Sequence, residues 1–240
     1  MQTNSFKLNA DKTHFLVMGT AERLNNMVED LVVEMDGVRL EENKDKSAEL
    51  LGVTMQCNLK WSLQVKSLAE KLKTRLTGLE KLKFVMSRSN KKNIVEGVFN
   101  SVLCYCLPLF GGCSKAEAKV LQVLQNRAAQ VVLRLPPRTS RSFMFDKLGW
   151  MTVQQLIAYH TLIAVFRIRQ TREPEDLAAI MSRENNTKHI IMKNSDLGLY
   201  RDSFVFRGAL LWNKLPLKLR TETEIKYFKT DLRVWIGNND

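Results

Sequence analysis

The period of the apolar positions changes along this chain, and each change predicts a different element. At the start the runs are short. HFLVMG (14–19) predicts a strand, and LVVEM and VRL (31–40) flank Asp36-Gly37, the dipeptide that a type I′ hairpin turn prefers. AELLGVTM (48–55) predicts a third strand, so a small antiparallel sheet is expected at the N-terminus. From Trp61 the period becomes helical: Leu68, Leu72, Leu76, Leu79 and Leu82 recur at three- and four-residue steps through about residue 86.

More helices follow. NKKNIVEGVFNSVLCY opens a second one, expected to end near Pro108 and Gly111-Gly112. Ser114 with Glu117 forms the capping box of a third, and Pro136-Pro137 stops it. Beyond lie a helical run at 151–170, a short helix after Pro174, a polar loop (182–198) and two closing helices. The first of these holds FRGALLWNKLP (206–216). Its apolar residues, Val205, Ala209 and Trp212 beside Phe204, Gly208, Leu211 and Leu215, form a compact plug expected to be core. The last helix is expected to start at a capping box, Thr221 to Glu224, and to bury Ile225, Phe228, Leu232 and Trp235. The expected fold is α+β and mostly α: a small sheet, then helices. Expected domains are 1–56, 57–135 and 136–240.

Charge changes this picture most. The chain of 240 residues carries a formal net charge of +12, which favours an anionic partner, most often nucleic acid. Residues 1–56 hold 6 Lys/Arg and 10 Asp/Glu, net −4, whereas residues 57–135 hold 14 and 4, net +10. Residues 136–240 hold 17 and 11, net +6. Between 60 and 92 stand ten cations: Lys60, Lys66, Lys71, Lys73, Arg75, Lys81, Lys83, Arg88, Lys91 and Lys92. Only Glu70 and Glu80 oppose them. On the first helix they flank the leucine stripe, so one face can pack while the other meets phosphates without reading sequence.

Candidate catalytic chemistry is absent from the pattern. Two-metal phosphoryl transfer needs closely placed carboxylates, and no Asp-Asp pair stands on a strand turn. There is no HExxH, P-loop or Gly-rich dinucleotide fingerprint. His14, His160 and His189 are scattered, and Cys57, Cys104, Cys106 and Cys113 have no zinc spacing. The cysteines are expected to be free structural thiols of a reducing compartment, nuclear or cytoplasmic. No stretch approaches the length of a membrane span, and no secretory signal is expected. No catalytic residue, metal site or cofactor is expected in this chain.

A series of short signatures runs through the chain in one order: Leu8-Asn9-x-x-Lys12-Thr13, Leu51-Gly52-Val53, Leu59-Lys60-Trp61, Tyr105-Cys106-Leu107-Pro108 with Phe110-Gly111, Gln125-Asn126-Arg127-Ala128, and Leu148-Gly149-Trp150. Phe206-x-Gly208-Ala209-x-x-Trp212-Asn213-x-Leu215-Pro216 closes it, with Phe228-Lys229 beyond. In this order they resemble the C-terminal part of the reverse transcriptase of non-LTR (LINE-type, jockey-like) retrotransposons.

The resemblance implies the end of the palm at 1–56, a basic helical thumb at 57–135 and a C-terminal helical region. It implies that Lys12 lies near the phosphates of the incoming nucleotide and that Leu51 and Gly52 form the turn that steadies the primer end. The thumb helices would follow the backbone of an RNA/DNA template–primer duplex. Gln56 stands where the family often has Asp, Gln64 where it often has His, and Phe110 where Trp is common. The family uses Mg2+, held by aspartates upstream of these signatures. The chain is therefore expected to be a fragment that retains duplex binding without catalysis of its own. Two alternatives remain: a non-enzymatic module binding a protein partner, or half of a split polymerase completed by the missing fingers and palm.

Overall fold

In the computed structural model, residues 13–27, 31–35, 37–81, 86–192 and 198–239 are described. They gather into two compact units, Met1–Gln64 and Val65–Asp240. In chain order the first holds β1 (His14–Phe15), α1 (Ala21–Met27), β2 (Glu34–Met35), β3 (Val38–Arg39), β4 (Glu41–Glu42), β5 (Ser47–Leu50), β6 (Val53–Gln56) and the start of α2 (Ser62–Lys81). The second holds the rest of α2 and then α3 (Arg88–Val95), a π-helical turn (Glu96–Asn100), α4 (Ser101–Cys104), α5 (Leu107–Phe110), α6 (Lys115–Leu133) and α7 (Arg141–Leu148). It continues through α8 (Val153–Thr171), α9 (Glu175–Met181), α10 (Gly198–Asp202), α11 (Phe204–Lys214), α12 (Leu217–Arg220) and α13 (Ile225–Asn238). The expected α+β, mostly α class holds.

The strands differ from expectation in detail. Instead of one antiparallel sheet there are three two-stranded pairs: β1 with β4 in parallel, and β2–β3 and β5–β6 antiparallel. The expected strand at 14–19 is only two residues long, and α1 follows it. The run 48–55 folds back on itself. Leu50 pairs with Val53 across Leu51 and Gly52, whose φ angles of 49° and 79° are both left-handed, as a two-residue type I′ turn requires. Glycine takes that conformation without strain, and its place beside Leu51 hid the turn inside an apolar run. Asp36 lies outside the described residues, while Gly37 has φ 78° between β2 and β3.

The two glutamines that depart from the retrotransposon pattern tie β6 to α2. The Gln56 carboxamide oxygen accepts from Leu63 N (2.9 Å) and Ser62 Oγ (3.0 Å), and so caps the first turn of α2. The buried Gln64 accepts from the Thr54 N–H at 2.8 Å. Each bond satisfies a backbone donor that the hairpin or helix end leaves open.

In the larger unit the leucine stripe is buried as the period predicts: Leu68, Leu72, Leu76 and Leu79 all face inward. The second helix begins at Arg88, widens into the π-helical turn and breaks at Cys106, which is left-handed (φ 51°) just before Pro108. Ser114 and Glu117 form their capping box, and Thr152 with Gln155 forms another on α8. The helix α7 was not foreseen, because its apolar Phe143, Met144 and Phe145 are adjacent and hide the 3.6-residue period. The box expected at Thr221 and Glu224 does not form. Thr221 instead ends α12, its hydroxyl donating back to the Leu217 and Lys218 carbonyls. Glu224 begins α13 without a side-chain cap.

The apolar plug is core. Trp212 is 2% exposed and belongs to one cluster with Phe166, Met181, Ala209, Phe228 and Leu232, against which Phe204 and Leu211 also pack. Phe166, Phe228 and Trp212 stack in turn, at centroid distances of 4.3 and 5.9 Å. Gly208 lets α11 approach α8: a Cβ there would stand 2.8 Å from Val165 Cγ2.

Candidate nucleic-acid interface

Helix α2 carries the charged surface because its leucines already occupy one face. With the stripe turned inward, Lys66, Lys71, Lys73, Arg75 and Lys81 all emerge exposed on its flanks. Among the described residues, no hydrogen bond or ion pair engages the ammonium groups of Lys66, Lys71, Lys73 or Lys81. Arg75 is exposed but engaged, donating from Nη1 to the Val98 carbonyl (2.7 Å) in the π-helical turn. The opposing Glu80 is matched by Arg127 of α6 at 2.9 Å. The α2 surface thus keeps four cations without an ion pair among the described residues, with the exposed Glu70 as the one acid of α2 that is not paired.

The remaining expected contacts fall in different places. Lys60 is exposed and belongs to the first unit. Arg88 is exposed at the start of α3. Lys92 stands 3.8 Å from Glu96, whose carboxylate also accepts from Trp150 Nε1 at 2.8 Å, so its charge is partly offset. Lys91 corrects the expectation. It is 3% exposed, with its ammonium 3.5 Å from the Val131 carbonyl, because Lys91 and Val95 are the i, i+4 pair that α3 turns toward α6. A side chain so placed cannot meet a phosphate on the surface. Lys12 and Lys83 lie outside the described residues. Leu51 and Gly52 form the exposed tip of the β5–β6 hairpin.

Several signature residues are tied to other parts of the fold. Arg207 donates to the Pro108 carbonyl (2.9 Å), joining the α11 signature to the Tyr105–Pro108 one. Gly111 lies so close beneath Arg207 and Ile157 that a Cβ would be 2.6 Å from each. Gln125, 1% exposed, donates to the Met151 carbonyl at 3.0 Å, just past Leu148-Gly149-Trp150. Asn213 grips the backbone of Ile190, accepting from its N–H (2.7 Å) and donating to its carbonyl (3.0 Å), while Trp212 Nε1 donates to Lys188 O at 3.2 Å. The polar loop is thereby fastened to the core.

Other reactive groups are subdued. All four cysteines are free, and burial pushes the Cys104 and Cys113 thiols up to about 11. Among the described residues no three His, Cys, Asp or Glu side chains come together as a metal site. No described helix is long and apolar enough to cross a membrane. Three cations that sequence reasoning did not single out, Lys115, Lys119 and Arg141, line one cleft. They come from two helices, and no linear spacing marks them.

Fold and surface together make a helical scaffold that presents exposed cations without ion pairs among the described residues. Over 141 residues the chain is 25% identical to a Drosophila melanogaster protein named "Probable RNA-directed DNA polymerase from transposon BS". The match covers 58% of this chain and 15% of that protein, so the chain spans far less than two-thirds of its relative's length. No family model and no solved structure matches the chain. Its relationship is thus a distant one, to a transposon RNA-directed DNA polymerase.

Proposed function

We propose that this chain binds the phosphate backbone of an RNA/DNA template–primer duplex, as the thumb and C-terminal region of a non-LTR retrotransposon reverse transcriptase do. The observation that carries this reading is the α2 surface: Lys66, Lys71, Lys73 and Lys81 are exposed, outnumber the single unpaired Glu70 there, and are fixed to a leucine-packed helix. Cations so held neutralise phosphates and release counterions, and this gives affinity independent of sequence. The distant polymerase relative and the order of signatures support the same reading. By this reading the chain alone adds no nucleotides, since its sequence holds no Asp-Asp turn to position a metal pair.

Titration of the purified chain with a labelled RNA–DNA hybrid tests the proposal. Between ~50 and ~200 mM salt the affinity is expected to fall by one or more orders of magnitude. Affinity that is indifferent to salt would sink the reading. The burial of Trp212 removes the main support for the alternative in which the plug is an exposed partner-binding surface.

A further inference from the structure

The three cations Lys115, Lys119 and Arg141 form a surface feature apart from α2. The cleft, of about 280 Å³, lies where α6 and the starts of α7 and α8 meet, and Lys115, Lys119 and Arg141 line it with Gln122 and Val153. Among the described residues no carboxylate lines it. Two acids of the same helices have neutral donors as partners: Glu117 accepts from Ser114 at 2.7 and 2.8 Å in the capping box, and Asp146 accepts from Ser142. Among the described residues no hydrogen bond or ion pair engages the side chains of Lys115, Lys119 or Arg141. Lys115 and Lys119 are also an i, i+4 pair of like charge, which a helix tolerates at a small cost unless an anion joins them.

Some of the neutral groups along the cleft are already committed. Gln122 accepts the Val153 N–H at 2.8 Å and turns its own amide toward Gln125 and Asn126. The Gln155 N–H is taken by Thr152 in the capping box of α8. What the cleft offers a ligand is three exposed cations with the exposed Gln154 beside them. No aromatic side chain lines it on which a base could stack, and its volume suits a phosphate with part of a sugar.

We propose that this cleft holds a backbone phosphodiester of the bound nucleic acid, a second contact point besides the α2 surface. The inference rests on the nucleic-acid reading above, and it makes a separate prediction. Each phosphate contact contributes about 0.9 to the slope of log affinity against log salt. The double variant Lys119→Ala/Arg141→Ala is expected to bind the RNA–DNA hybrid with a slope shallower by about 1–2 and to keep its melting temperature. The charge-conserving swap Lys119→Arg/Arg141→Lys is expected to keep the wild-type slope. Should the double variant lose stability, Lys119→Gln alone is read for a slope change of about 1. If the wild-type chain binds with a steep slope and the double variant matches it, the cleft proposal is overturned and the α2 reading stands. A wild-type chain indifferent to salt overturns both.

Discussion

Helices α2 and α11 are both leucine-bearing and amphipathic, yet they use their polar groups in opposite ways. On α11, Arg207, Trp212 and Asn213 each bond to a carbonyl or N–H elsewhere in the fold. On α2, the ammonium groups of Lys66, Lys71, Lys73 and Lys81 bond to no described residue. The first arrangement consumes hydrogen-bonding capacity to fix a scaffold. The second leaves those groups open to solvent and to any external anion. The recognisable motif and the basic surface are therefore different parts of this molecule.

The largest effect expected from breaking the contrast is at Trp212. Trp212→Ala removes a ring stacked on Phe228 and covered by Arg169, and should cost about 3–5 kcal/mol in chemical denaturation. Native-like stability in that variant would contradict a structural role for the plug. Asn213→Ala should cost less, about 1–3 kcal/mol, because both backbone groups of Ile190 lose their partner. Hydrogen exchange at Ile190 should quicken with it, and an unchanged rate would separate Asn213 from the loop.

On the other helix the expected result is reversed. The triple variant Lys66→Ala/Lys71→Ala/Lys73→Ala should change stability by no more than about 0.5 kcal/mol. It should nevertheless lower the salt slope of hybrid binding by up to about 2.7. Lys91→Gln should leave that slope alone, and a shallower slope there would show that buried and exposed lysines had been wrongly distinguished. The smallest effect concerns the loop that α11 fastens. Burial alone would raise the Glu184 carboxyl, but hydrogen bonds from Lys188 and Arg169 outweigh it and hold the group below its ordinary value of 4.5. Its contribution is complete above that value and is lost as pH falls through the lower folded one. Glu184→Gln should thus flatten the acid limb of a stability–pH curve slightly, and an unaltered limb would show that the carboxylate is screened to no effect.

Much of this was legible in one dimension. The α2 stripe, the Ser114–Glu117 box and the α11 plug all follow local rules of period and capping, which tertiary packing then honoured. The exceptions share a cause. Lys91 looks like its neighbours in sequence, but which side of α3 faces α6 is decided by packing. Thr221 could cap the helix after it or end the one before it, and Pro216 starts a one-turn helix that claims it. At Leu51 an apolar residue occupies a left-handed turn position, against its own preference.

The sequence by itself determined the helical class, the position of the basic segment and the signatures that point to a polymerase relative, because these depend on residues near one another in the chain. Only the tertiary structure decided which cations remain without an ion pair and which backbone groups the signature residues hold. It alone assembled Lys115, Lys119 and Arg141 into one cleft. Burial and charge pairing are properties of neighbours in space, and the neighbours that matter here stand tens of residues apart.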